Sequence, residues 1–216
     1  MKMQELGGYS SIAIVCIMLV MGGILVAILG DFTGLDIYDS SKMIAAYQAS
    51  PIAFLVYYSL GMILSILGLI VFLSLEERMR ANAPNLMRIA VIAGAASTAL
   101  TLTAMIGGFF RNILMAATND MSAFRAFLVL HELLRTAATS ILGWGFLLIG
   151  CAAIKTRELP RILSFIIIIL GIESIIIFVF TVAQFDLGSF IFALLALIVY
   201  VWIGVVLLRE NAAKLV

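Results

Sequence analysis

The chain has 216 residues, of which 64% are hydrophobic and 12% charged, with a formal net charge of +1 and a mean hydropathy of +1.23. A water-soluble domain carries about 25% charged residues, and a chain this short cannot hide so much apolar surface in one aqueous core, so lipid is its natural solvent. The near-neutral charge, with no basic patch or stripe, argues against a nucleic-acid partner.

A hydrocarbon core ~30 Å thick is crossed by about 20 apolar residues of helix. Six stretches have that length: residues 10–30, 51–74, 88–110, 127–154, 162–183 and 189–208. The run IIIIL at 166–170 contradicts the ~10-residue segments of alternating polarity that mark a membrane β-barrel. The expected fold is all-α, a polytopic bundle of six transmembrane helices filling residues 1–216 as one domain.

The apolar run of the first stretch, Ile12 to Leu29, exceeds the roughly 7–15 residues of a signal-peptide core, and no Ala-x-Ala site follows, so it is read as a retained helix. Cys16 here and Cys151 in the fourth stretch sit at similar depth near one membrane face. Both are read as small buried apolar residues; a disulfide requires the two helices to touch, and no metal-binding spacing exists. Residues 31–50 then carry Asp31, Asp36, Asp39 and Lys42. The aspartate spacing does not match a calcium loop and reads as a solvated acidic segment. Ser40 and Ser41 can cap a short helix along the outer interface, with Met43, Ile44 and Tyr47 as its apolar stripe.

Because lipid tails are as apolar as leucine, helices in a bilayer associate through close packing of small residues or through polar contacts. The second stretch offers Gly61, Ser65 and Gly68, the first Gly23 and Ala27, and the third Ala93, Ser97 and Thr101 at intervals of four on one face. The fourth offers Thr136 with Ser140 and Thr139 with Gly143. The third and fourth helices are therefore expected at the bundle centre, with the fifth and sixth facing lipid over most of their surface. A polar lining for a pathway is the alternative reading of the same Ser and Thr residues. Segments 75–88 and 155–161 each hold a charged cluster, a proline and then an arginine that opens the next helix. They predict tight antiparallel hairpins, and their likeness hints at a repeated two-helix unit.

The fourth stretch begins with the most polar membrane segment of the chain, His131-Glu132-Leu133-Leu134-Arg135-Thr136. His131 and Arg135 are four apart and Glu132 and Arg135 three apart, so all three can share a face. At 1.5 Å per residue, Arg135 lies roughly 30 Å from Lys155, near the outer boundary, level with Arg111 at the end of the third stretch. Glu173 lies about 18 Å from Arg161, near the midplane, where a charge costs about 2.5–3.5 kcal/mol on insertion scales. The ~12 Å difference in depth is within the joint reach of Arg135 and Glu173 if the two helices are neighbours. The expected ligand-binding site is thus one polar pocket of Arg111, His131, Glu132, Arg135 and Glu173, open to the outer face and rimmed by Gln184 and Asp186.

Lys and Arg divide unevenly between alternate segments. Lys2, Arg78, Arg80, Arg88, Lys155, Arg157, Arg161, Arg209 and Lys214 fall on one side, against Lys42, Arg111, Arg125 and Arg135 on the other. The positive-inside rule places both termini in the cytoplasm of a plasma or inner membrane.

Catalytic motifs are missing. The chain has one histidine, so bis-histidine haem is out. His131-Glu132 is not followed by the second histidine of a zinc protease, and Glu76-Glu77-Arg78 lies in a loop and misses the spacing of a glutamate-type intramembrane protease. No phosphate loop or Gly-x-Ser-x-Gly elbow occurs. No cofactor and no enzyme activity are expected.

Residues 141–171, ILGWGFLLIGCAAIKTRELPRILSFIIIILG, show a glycine-dotted helix, a short basic turn with Leu-Pro-Arg and an Ile/Leu/Gly-rich helix. This stretch of about 30 residues and the six-helix layout resemble a broad family of prokaryotic integral membrane proteins known as a domain of unknown function. The resemblance implies the fold and supplies no catalytic residues. Three functions remain in view. The first is a non-catalytic subunit or partner in a membrane assembly. The second is a small transporter or binding protein for an anionic or amphipathic molecule in the polar pocket. The third is a quinone- or haem-associated redox subunit with His131 near the outer face.

Overall fold

A computed structural model describes the backbone of residues 2–29, 40–118, 121–182 and 189–213. Side chains are described for all of these except 28–29, 40–44, 115–118, 121, 177–182, 189–192 and 210–213. The described residues form seven helices and no strand: α1 (Met3–Leu29), α2 (Ser40–Ala49), α3 (Pro51–Met79), α4 (Pro84–Thr118), α5 (Met121–Thr156), α6 (Arg161–Val182) and α7 (Ser189–Ala213). Four of them, α1, α3, α4 and α5, are long and apolar enough to cross a membrane, and α7 holds a shorter apolar segment, Ala193–Arg209. The short helix expected from Ser40 is α2; Asp31, Asp36, Asp39 and the side chain of Lys42 lie outside the described residues.

Hydropathy marks where a helix meets lipid, not where it ends. Thus α1 begins at Met3 rather than at residue 10, and α5 at Met121 rather than at 127. The segment Glu76-Glu77-Arg78, expected in a loop, is the last turn of α3; Glu and Arg are good helix formers, and nothing there breaks the ladder. Pro51 and Pro84 sit at the starts of α3 and α4, where a missing N–H removes no intrahelical bond.

The turns at 80–83 and 157–160 fold α3 against α4 and α5 against α6. Each long helix packs on its neighbour in chain order, and α7 closes back onto α1, so the six long helices make a ring. The starts of α1 and the end of α7 meet the two turns at one end of the ring: Ser74 Oγ donates to Met3 O at 2.8 Å, Gly8 packs on Leu208, and the Arg78 guanidinium donates to Glu158 O. This is the turn end; the opposite is the far end.

All six long helices supply the core, including Ile14, Phe72, Met87, Phe146, Leu163, Ile167, Tyr200 and Ile203. The expectation that the last two helices face lipid over most of their surface is therefore corrected, because a closed ring has no peripheral member. The Phe72 ring enters between α4 and α5, where side chains at Gly94 and Gly145 would stand 2.7 and 2.5 Å from it. It lies 5.3 Å from Phe146, which meets Tyr200 edge-on at 6.1 Å, so aromatic rings bridge α3, α5 and α7.

The small residues act largely as expected, with shifts. Gly61 admits Met105, Thr98 donates to Ser65 O at 3.2 Å, and Ser97 donates to Ala138 O at 2.8 Å. The buried face of α4 runs through Gly94, Ser97, Ala104 and Gly108, while Ala93 and Thr101 are only half-buried. Gly23 meets nothing within 4 Å. Cys16 and Cys151 are free and exposed on the outside of the ring, not buried.

Candidate functional site

The far end of the ring gathers polar side chains from three helices. On α4 the buried face that starts with glycines ends with Arg111 and Asn112, both buried. Gly108, one turn earlier, makes room for partners: a side chain there would lie 2.7 Å from the Tyr58 ring and 3.1 Å from His131 Nδ1. Tyr58 therefore reaches from α3, and His131 from α5, across the back of α4.

Arg111 is 1% exposed. Its Nη2 donates to Tyr58 Oη at 3.0 Å and its Nε to Asn112 Oδ1 at 3.3 Å, while Asn112 Nδ2 donates to the same Tyr58 oxygen at 3.4 Å. The guanidinium carbon lies 4.9 Å from the centre of the Phe124 ring, within cation–π range. Nη1 is buried and has no hydrogen-bond partner. Among the described residues, every partner of this cation is thus a neutral oxygen or a ring.

His131 Nδ1 donates to Ala104 O at 2.7 Å, which fixes the ring orientation and leaves Nε2 3.8 Å from Glu132 Oε1. The imidazole meets the Tyr58 ring edge-on at 6.1 Å. Glu132 Oε2 accepts from Arg135, with both Nε and Nη2 at 2.9 Å. Thr136 Oγ1 donates to Glu132 O at 2.7 Å, closing the turn beneath. The Glu132 side chain is 13% exposed and that of Arg135 44%, so Arg135 reaches the surface while Arg111 lies inside.

Four of the five expected site residues, Arg111, His131, Glu132 and Arg135, therefore come together. Glu173 does not. Gly143 packs on Gly171 and Ser174, which sets Glu173 level with Gly143 and Trp144, some eight residues or ~12 Å below Arg135. That depth matches expectation, but the direction does not. Ile168 and Ile175 flank α5, against Gly150 and Gly143. Glu173 lies roughly 140–160° around the helix from both, at 3.6 residues per turn. It points away from α5, and Arg135 turns to Glu132 on its own helix instead. Glu173 Oε2 is buried with no hydrogen-bond partner, and the carboxylate makes no ion pair among the described residues. The rim residues Gln184 and Asp186 lie outside the described residues.

Tyr58, Asn112, Phe124 and the Ala104 carbonyl complete the cluster and were not anticipated. Two signals pointed to them: Asn112 adjoins Arg111 at the end of an apolar run, and Tyr57-Tyr58 is a tyrosine pair near a span end, where aromatic rings favour the interface. Among the described residues no three of His, Cys, Asp or Glu come together as a metal site. No family model matches the chain, and no curated protein or solved structure matches it.

Proposed function

We propose that this chain is a non-catalytic, multi-pass integral membrane protein that works as a subunit of a larger membrane assembly, docking through the outer face of α6. The six long helices span the lipid of a plasma or inner membrane. Both termini and the turn end lie in the cytoplasm, following the Lys and Arg count, and the far end lies outside.

Glu173 carries the assembly reading. Ile162, Phe165, Ile169, Ile172 and Ile176 form an exposed apolar stripe along α6, and Glu173 stands at its edge. In a bilayer this stripe meets acyl chains, which offer no hydrogen bond to the part of the half-buried carboxyl that reaches them, while Oε2 is covered by the protein. Ionisable residues inside spans normally find a partner, and its own chain supplies none among the described residues. A neighbouring membrane helix that presents a donor satisfies it, and polar contacts of this kind hold helices together in lipid.

The test is photo-crosslinking in native membranes from a reactive amino acid at Ile169, with Ile92 on the outer surface of α4 as the comparison. The expected result is a protein adduct from position 169 that Glu173→Leu diminishes and Glu173→Gln, which can still hydrogen-bond, preserves. Lipid adducts alone from position 169, as from position 92, overturn the reading.

A further inference from the structure

We propose that Arg111 is the anchor of a binding site for the monoanionic headgroup of an amphipathic lipid, either the phosphodiester of an anionic phospholipid or the carboxylate of a fatty acid. The proposal is independent of the assembly reading, which rests on another helix and another depth.

The argument starts from charge. The described ionisable groups of the far-end cluster are two guanidiniums, Arg111 and Arg135, one carboxylate, Glu132, and His131, counted as neutral. Glu132 gives Oε2 to Arg135. Among the described residues of the cluster one positive charge is left over, and it resides on Arg111, the most deeply buried of the four. Tyr58 and Asn112 offer it dipoles, and Phe124 a ring face, but no negative charge. A buried cation without an anion is costly, whereas a fully paired one is tolerated. Nη1, unpartnered, together with the second N–H of Nη2, presents the guanidinium edge that takes an oxyanion through two parallel hydrogen bonds. A surplus of one charge calls for a monoanion.

Depth and surroundings give the rest of the molecule. Arg111 lies 23 residues beyond Arg88 on the same helix, about 35 Å along it. Against a hydrocarbon layer of ~30 Å, that places Arg111 at headgroup level if Arg88 marks the opposite interface. Phe54, Tyr58, Met105, Phe124 and Leu128 form a buried apolar cluster at this end, of which Tyr58 and Phe124 touch Arg111, and Phe110 on α4 and Phe127 on α5 lie exposed, a surface suited to an acyl chain. A free inorganic anion would use none of this.

The experiment follows thermal unfolding of the full chain in neutral detergent with added oleate, phosphatidylglycerol, phosphatidylcholine or inorganic phosphate. A rise in Tm with oleate or phosphatidylglycerol, but not with phosphatidylcholine or phosphate, is expected, and whichever of the first two acts assigns the source. Arg111→Met should abolish the rise and, without lipid, melt no lower than the parent, since it removes an uncompensated charge. Arg88→Gln, exposed at the other end of α4, should keep the rise. No rise with either lipid, an equal rise with phosphate, an undiminished rise in Arg111→Met, or a loss of the rise in Arg88→Gln overturns the proposal. Should Arg111→Met fail to fold, Arg111→Lys decides: it keeps the charge but not the fork, so the rise should fall by at least half, and an unchanged rise refutes the site.

Discussion

Arg157 adopts a φ of 60°, the left-handed conformation in which α5 ends. Its N–H donates to Ala153 O at 2.9 Å, the single capping bond of a helix that stops on a left-handed residue. Glycine is the usual occupant because it has no Cβ to clash. Arg157→Gly should therefore raise stability by about 1 kcal/mol, the strain removed exceeding the entropy gained by the unfolded chain. Thermal unfolding in detergent measures it, and a lower Tm shows that the arginine side chain contributes more than its backbone costs. At this scale the sequence is legible in depth and silent in azimuth. Counting 1.5 Å per residue set Glu173 below Arg135 by the distance the packing of Gly143 on Ser174 supports. Nothing in the order of residues says that α5 lies against Ile168 and Ile175, on the other side of α6 from Glu173. The local partner was readable: Glu132 is one turn from Arg135, and pairing within a turn needs no knowledge of neighbours.

The α5/α6 pair shows why the element scale was harder. Gly143 and Gly150 on α5 and Ser164, Gly171 and Ser174 on α6 recur at intervals of seven, with Ser174 three beyond, and the two backbones close on each other through them. A Cβ at Gly171 would stand 2.6 Å from Leu147 N and 2.8 Å from Gly143 O, both backbone atoms that cannot swing aside. Gly171→Ala should force the helices apart and destabilise the protein by about 1–3 kcal/mol, the usual cost of overpacking a tight contact. Gly23→Ala, with open space around it inside α1, should hold or raise Tm, since alanine is the better helix former, and serves as the control. The sequence showed these residues as small but did not say which small residues are contacts: Gly23 and Gly171 look alike in a hydrophobic run. Ala93 and Thr101 fell off the buried face of α4 for a related reason. A period of four drifts around a helix of 3.6 residues per turn, so a strict four-residue row tracks a contact only briefly.

Over the whole molecule, apolar side chains point both ways. The ring has a packed interior, yet Leu19 on α1, Ile63 on α3, Ile92 on α4, Leu133 on α5, Ile162 on α6 and Val201 on α7 are all exposed. Water would not tolerate such a surface, whereas lipid would, and each of the six long helices carries part of it. That sharing is why we propose α6 and α7 as spans along with the four helices whose length and composition suffice by themselves. Parity alone does not separate the cases, because four crossings and six both return the chain to its starting side. The residue that separates them lies between α6 and α7. In a background lacking Cys16 and Cys151, single cysteines at Lys2, Asn82, Ser122, Gln184 and Lys214 can be probed on intact cells with a membrane-impermeant maleimide. Six spans with cytoplasmic termini require labelling at 122 and 184 and protection at 2, 82 and 214. Protection at 184 with labelling at 122 reduces the spans to four and puts Glu173 outside the bilayer, which removes the need for a lipid-embedded partner. Labelling at 2 and 82 instead inverts the protein, and the lipid headgroup on Arg111 then belongs to the inner leaflet.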